Sequence, residues 1–291
     1  MELTQVTRLP AASARRRTRQ AVSNFFWYLL LLAIAAGMVL PFLWIIFTSL
    51  KGTEDAIFSV PPQLIPLHPT LNNFKNVLNQ LPIGTFYLNS ILVGVLTTVF
   101  NVLVTGLAAY PLAKMKFKGR EAVFFFLLAT MVVPVQLTYI PSFILAVKVF
   151  HYYDSLAALF FPGLSSAFNI FLLRQAFRSV PDDLIDAAKI DGASELRTWW
   201  SVLLPVIRPS LATVAIIQFA NTWNDFLWPS LMLHTRTNMT LPVGLAALQG
   251  MFSSDLRSIA AGVTLTIIPI MLFFMLLQKY FVRGLSGAVK G

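Results

Sequence analysis

The chain has 291 residues, of which 57% are hydrophobic and 12% charged, with a mean hydropathy of +0.72. That balance excludes an ordinary soluble globular domain and points to a protein that crosses a membrane several times. The formal net charge of +10 would suit a nucleic-acid partner if the basic residues formed one patch, and the absence of cysteine excludes disulfides and thiolate metal sites.

Residues 1–24 form a basic tail with Arg8, Arg15, Arg16, Arg17 and Arg19. The apolar run that follows, 20–50, is longer than the ~7–15 residues of a signal-peptide core, and no small-x-small cleavage site comes after it, so a retained first span over 25–50 is expected. Residues 51–84 contain Pro61, Pro62, Pro66, Pro69 and Pro82, too many for one helix, and are expected to form an extracytoplasmic loop. Within it, Thr70 is placed to cap a short surface helix.

The uncharged stretch 76–113 houses a second span, whose Asn89, Ser90, Thr97, Thr98, Asn101 and Thr105 suit contacts between helices. A third span, 122–147, is interrupted where Pro134 and Pro141 bracket Gln136 and Tyr139; this kinked polar stretch is expected to line a cavity. A fourth span falls at 155–173.

The segment 178–205 is amphipathic and lies between two membrane-length runs. Ser179, Pro181, Asp182 and Asp183 are marks of a helix start, with Ser179 as the cap. A helix to about Ile190 is expected, with Leu184, Ala187 and Ala188 as its apolar stripe. Gly192 is suited to a left-handed cap, and Ser194 and Glu195 begin a second helix with Leu196, Trp199, Trp200 and Leu203 on one face. Pro205 and Pro209 then break it. The expected product is helix, sharp turn, helix, lying beneath the membrane.

The fifth span, Pro209 to Met232, is apolar except for Asp225. Gln218, Asn221, Thr222 and Asp225 share one face of a continuous helix, and an acid inside a bilayer usually faces protein or water, so these residues are expected to line a translocation path. Trp223 and Trp228 are open to two readings, stacking on sugar rings or anchoring at the membrane interface. A sixth span covers 258–278. His68, His151 and His234 are scattered through outer loops and make poor metal ligands.

Threading six spans explains the charge. The tail, the loop with Lys114, Lys116, Lys118 and Arg120, the loop with Arg174, Arg178, Lys189, Arg197 and Arg208, and the end with Lys279, Arg283 and Lys290 fall on one side; only Lys51, Lys75, Lys148, Arg236 and Arg257 fall on the other. The positive-inside rule then sets both termini in the cytoplasm, and the basic charge reflects topology rather than nucleic-acid binding.

Asp186-Ala187-Ala188, then Gly192, then Val202-Leu203-Leu204-Pro205 resembles the Glu-Ala-Ala-x3-Gly-x9-Ile-x-Leu-Pro signature of permease subunits in ATP-binding-cassette importers fed by a solute-binding protein. Two positions depart from it, Asp186 for glutamate and Val202 for isoleucine. The phrases at 223–229, 240–245 and 283–291 are similar to those of the carbohydrate branch, the last closely to the tail of maltose-type permeases. The resemblance implies an all-α membrane fold of six transmembrane helices in the type I importer arrangement, with 85–282 as the permease core. It implies that Asp186, Ala187, Ala188, Gly192, Leu204 and Pro205 couple the chain to an ATPase, and that the tail with Gly284 and Lys290 reaches the ATPase pair. It further implies a second, non-identical permease, two ATPase subunits, an extracytoplasmic sugar-binding protein, a carbohydrate substrate and a bacterial or archaeal cytoplasmic membrane.

No cofactor is expected on the chain itself, because the phosphate-binding pattern G-x4-G-K-[ST] does not occur. ATP and Mg2+ are implied only in the partner. An ion- or proton-coupled carrier, the competing reading, would call for more intramembrane ionisable residues and paired repeats.

Overall fold

A computed structural model describes residues 12–61, 63–251 and 255–288 of the chain. The described residues are helical throughout, apart from loops and one isolated bridge between Lys51 and Pro69. They fall into two compact units that meet in sequence at Asn72 and Asn73.

The first unit holds α1 (Ala12–Leu50) and the loop after it. The helix is already present at Ala12, well before residue 25, because the arginine-rich stretch from there is made of good helix formers and no proline stands between Ala12 and Pro41. In the loop, Lys51 is buried and its Nζ donates to the carbonyls of Ala56 at 2.7 Å and Gln63 at 2.6 Å. Thr70 Oγ1 accepts from the Asn72 amide at 3.2 Å, as a cap for α2 (Asn72–Gln80) should.

The second unit is built around α3 (Ile83–Lys114), a single uninterrupted span. After it come α4 (Arg120–Thr130), a 3-10 turn (Val135–Thr138), α5 (Tyr139–Ile144) and a π turn (Leu145–Val149). These make one broken span bent by 92°, the kink expected around Pro134. The fourth span is also bent, by 49°, between α6 (Ala157–Gly163) and α7 (Ala167–Arg178). Next are α8 (Asp183–Ile190), α9 (Glu195–Thr198), a π turn (Trp199–Leu203) and α10 (Leu204–Val206). The chain then turns by 84° into α11 (Arg208–Asn224).

The fifth span departs from expectation. It is not one helix from Pro209 to Met232: α11 stops at Asn224, Asp225 is extended, and α12 (Leu227–Met232) starts afresh. A 3-10 turn (Arg236–Asn238), α13 (Leu241–Met251) and α14 (Leu256–Ala288) complete the chain. Among the described residues three long apolar helices and three bent pairs allow up to six spans.

α3 packs against α7 and α11, and α11 against α14. Three apolar clusters result. One joins the end of α3 to α7 and to Ile185, Trp199 and Leu203; a second joins the start of α3 to α11, α13 and α14; a third gathers Val93, Leu159, Trp228 and Met232. Many large apolar side chains elsewhere remain exposed, including Leu88, Leu92, Phe100 and Leu107 on α3, as a lipid-bathed surface requires.

Candidate coupling element and polar seam

The segment 179–207 folds as helix, turn, helix. Gly192 has φ +75°, the left-handed value anticipated for it, and the reversal is closed by bonds from Gly192 N–H to Lys189 O at 3.0 Å and from Ala193 N–H to Ala188 O at 2.9 Å. The start differs from expectation. Ser179 does not cap α8: its Oγ donates to Ala176 O at 2.8 Å within the preceding helix end, and Asp182 occupies the cap position without a side-chain bond to the helix amides. Ser194 does cap α9, accepting from the Arg197 amide at 3.4 Å.

The apolar faces are also redistributed. Ile185 and Ala188 are buried, whereas Leu184 and Ala187 face outward with Asp186. In the second helix Trp199 and Leu203 are buried, while Leu196 and Trp200 are 64% and 59% exposed, and Ile190 at the tip is 87% exposed. A π turn from Trp199 to Leu203 shifts the helical period there, which is why four apolar residues at helical spacing do not end on one side. Leu204 and Pro205 are partly buried behind this turn.

The element is fastened to the end of α3. Lys114 Nζ donates to Val180 O at 2.6 Å and to Asp182 Oδ1 at 2.5 Å. This hydrogen bond, and then the charge of Lys114, hold the Asp182 carboxyl below the usual carboxylate range. Trp199 Nε1 donates to Gly106 O at 3.2 Å, and the Tyr110 hydroxyl donates to Glu195, which also pairs with Lys189 at 3.3 Å. Beside them, Arg174 donates to both carboxylate oxygens of Glu121 at 2.7 and 2.8 Å and to Leu112 O at 2.9 Å, with its guanidinium 3.7 Å over the Phe124 ring. That clamp ties α3, α4 and α7 together.

A polar seam crosses the middle of the bundle. Asn169 Nδ2 on α7 donates to Asn101 Oδ1 on α3 at 2.9 Å and to Gln218 Oε1 on α11 at 3.1 Å; Asn101 Nδ2 donates to Gly163 O at 2.8 Å, and Gln218 Nε2 to Thr222 Oγ1 at 3.2 Å. Gln218 is therefore buried, with one bond to α7 and one within α11. Asn221 is exposed. Asp225 lies past the end of α11, so it does not continue the helical face expected for it; its Oδ1 accepts from the Trp228 amide at 3.4 Å. With Ser90, Thr222 and Thr240 it lines a cavity of about 20 Å3, room for about one water molecule. Gln136 is exposed on its 3-10 turn, and the Tyr139 ring lies 6.0 Å from that of Trp228; neither joins the seam.

Both tryptophans are core residues, against either reading of them. Trp223 is 1% exposed and donates to Thr266 O at 3.3 Å, and Trp228 is 3% exposed and donates to Ala158 O at 3.0 Å. Of the tail pair, Lys290 lies outside the described residues, and Gly284 falls in the last part of α14, where only the backbone is described. Among the described residues no group of three or more His, Asp or Glu could hold a metal.

A residue that the pattern of the sequence did not single out organises the opposite end. Asp154, at φ +52°, accepts from the His234 and Thr235 amides at 2.8 and 3.0 Å and from the Thr235 hydroxyl. Asn89 on α3 holds the same loop through the carbonyls of Thr237 and Met239. The Thr235 hydroxyl, then the two amides, push the Asp154 carboxyl down to about 2. A depressed folded-state value means that its contribution is complete above the free value of 3.8 and is lost as pH falls toward 2. Asp154→Asn should therefore speed hydrogen exchange at the 234 and 235 amides at pH 6. In the parent the same amides should open only between about pH 4 and 2.

Residues 101–287, well over half of the chain, match the family described as binding-protein-dependent transport system inner membrane component. The arabinooligosaccharides transport system permease protein AraQ of Halalkalibacterium halodurans is 33% identical over 261 residues, covering 89% of this chain and 93% of that protein. The sn-glycerol-3-phosphate transport system permease protein UgpE of Salmonella typhimurium is 30% identical over 283 residues, covering 94% and 99%. A chain in the crystal structure of a bacterial ABC transporter that imports alginate shares the fold, with a TM-score of 0.75 at 24% identity over 94% of this chain and 100% of that one. These matches decide against a carrier that works alone. The chain belongs to the binding-protein-dependent transport system inner membrane components: it is a multi-pass permease subunit of an ABC importer and not itself an enzyme.

Proposed function

We propose that this permease carries a carbohydrate, delivered by an extracytoplasmic binding protein, across a bacterial or archaeal cytoplasmic membrane. It works beside a second, non-identical permease, and two ATPase subunits hold the ATP and Mg2+. The observation that carries the reading is the α8–α9 knob, which presents Ile190, Leu196 and Trp200 to the surroundings while Ile185, Trp199 and Leu203 root it in the bundle. An exposed apolar tip on a rooted base suits a cleft in a soluble partner. The carbohydrate class is supported by the named substrates of relatives: arabinooligosaccharides, diacetylchitobiose and sn-glycerol-3-phosphate, a phosphorylated polyol.

The geometry of α3 supports the proposed orientation. α3 rises about 48 Å from end to end at 1.5 Å per residue. The 234–239 loop is held at the start of this helix, through Asn89, and the 180–182 segment at its end, through Lys114. The positive-inside rule then favours the cytoplasm for this basic end of α3, and the basic residues of the amino-terminal tail favour it for that tail.

Purification of the tagged chain from native membranes, followed by uptake of labelled oligosaccharide into vesicles, tests the reading. Co-purified ATPase and ATP-dependent uptake are expected; a solitary chain that transports without ATP refutes it. Asp186 is exposed on the knob, so Asp186→Lys should lower ATPase co-purification about tenfold by reversing one interfacial charge. Undiminished co-purification would remove Asp186 from the contact.

A further inference from the structure

Gly106, Tyr110 and Lys114 are spaced by four along α3 and so form one stripe. Each touches a different part of the coupling element: Gly106 O holds Trp199, the Tyr110 hydroxyl holds Glu195, and Lys114 holds Val180 and Asp182. Lys114 grips the element before α8 begins, and Gly106 grips it after the second helix has started. Glu195 is different, because its carboxylate binds α3 through Tyr110 and the last turn of α8 through Lys189, bridging the Gly192 reversal.

We propose that Glu195 is the positioning residue that transmits movement of α8 to α3, and through α3 to the rest of the bundle. The inference rests on the functional reading above. The bonds from the Gly192 and Ala193 amides close the turn itself, but Gly192 has no neighbour within 4 Å of where a side chain would begin, so no side chain packs over the turn to stiffen it. The burial of Ile185 and Ala188 keeps α8 against the bundle, but apolar contact is non-directional. The shared carboxylate adds a directional tie from the last turn of α8 to α3: tilting α8 pulls Lys189, Lys189 pulls Glu195, and Glu195 pulls Tyr110. α3 is one unbroken helix, so a displacement at Tyr110 reaches Asn101, which is joined through Asn169 on α7 to Gln218 on α11. Three spans then respond to one carboxylate.

The test uses the importer purified with its partners and compares Tyr110→Phe, Glu195→Ala and Glu195→Gln. Tyr110→Phe keeps the ring that packs on Phe177 at 5.9 Å and removes only the hydroxyl, while Glu195 is half-exposed and tolerates replacement. For Tyr110→Phe and Glu195→Ala, stimulation of ATP hydrolysis by the loaded binding protein should fall about tenfold, the scale of one lost charge-assisted hydrogen bond. Uptake per ATP hydrolysed should fall with it, and the amount of co-purified ATPase should stay at the parent value. Glu195→Gln retains an acceptor for Tyr110 but no charge for Lys189 and should lie between. Full stimulation in Tyr110→Phe and Glu195→Ala overturns the proposal. Loss of the ATPase from these variants overturns it too, because the residues would then serve association. A parent preparation that carries no ATPase would refute the functional reading itself, a separate result.

Discussion

Gly244→Ala should destabilise the second unit by about 3 kcal/mol, at the upper end of what overpacking a filled core costs. A Cβ at position 244 would stand 2.2, 2.3 and 2.6 Å from three ring atoms of Phe86, a side chain that is fully buried. Neither partner can yield easily, since α13 and the start of α3 are also joined by the bond from the Leu241 amide to Ser90 Oγ at 2.7 Å. Thermal unfolding in detergent, followed by the fluorescence of Trp223 in the same cluster, provides the measurement. The decisive control is Gly244→Ala combined with Phe86→Leu, which clears space for the new methyl. The pair should be more stable than Gly244→Ala alone, and equal or greater loss in the pair would refute the steric account.

Gly192→Val should abolish most coupled transport while leaving the protein inserted and stable. The site is open, so the cost is conformational: a residue at φ +75° with a branched Cβ pays about 1–2 kcal/mol or more for the left-handed region. The chain relieves that strain by reopening the turn, which separates Lys189 from Glu195. Uptake should drop about tenfold for each 1.4 kcal/mol taken from the coupled geometry, with Gly192→Asn retaining more activity because Asn tolerates this region. Equal activity of the Val and Asn variants would show that backbone conformation at 192 is irrelevant to coupling.

The number of spans was legible because a hydrocarbon core demands about 20 apolar residues in a row, a property that survives any rearrangement of neighbours. Gly192 was legible for a similar reason: the residue type reports a backbone requirement. The break at Asp225 was overlooked although its signals are present: Asn224 and Asp225 are weak helix formers, and Pro229 stands four residues on, where its ring meets the carbonyl of residue 225 and its missing N–H leaves that carbonyl unpaired. Trp223 and Trp228 were misplaced because a tryptophan near a helix end reads as an interfacial anchor unless its partners are known. Those partners, Thr266 and Ala158, lie 43 and 70 residues away. The bond between Tyr110 and Glu195 spans 85 residues and leaves no trace in local periodicity. The shift in register across Trp199–Leu203 misled the assignment of faces for the opposite reason, because a regular pattern there does not stay regular in space.

The polar seam bears on the order in which the chain can be assembled. Gln218 and Asp225 burden the fifth span with an amide and an acid, and α11 ends at Asn224 with only short α12 beyond it. Such a segment settles poorly in lipid by itself, where unmet polar groups are costly. Synthesis, however, delivers Asn101 and Asn169 first. By the time residue 218 leaves the ribosome, Asn169 already stands in the bilayer, itself tied to Asn101, and the acceptor Oε1 of Gln218 has a waiting donor in it. The burden is carried by a helix that precedes it, so deletion of α7 should cost the membrane not one span but two.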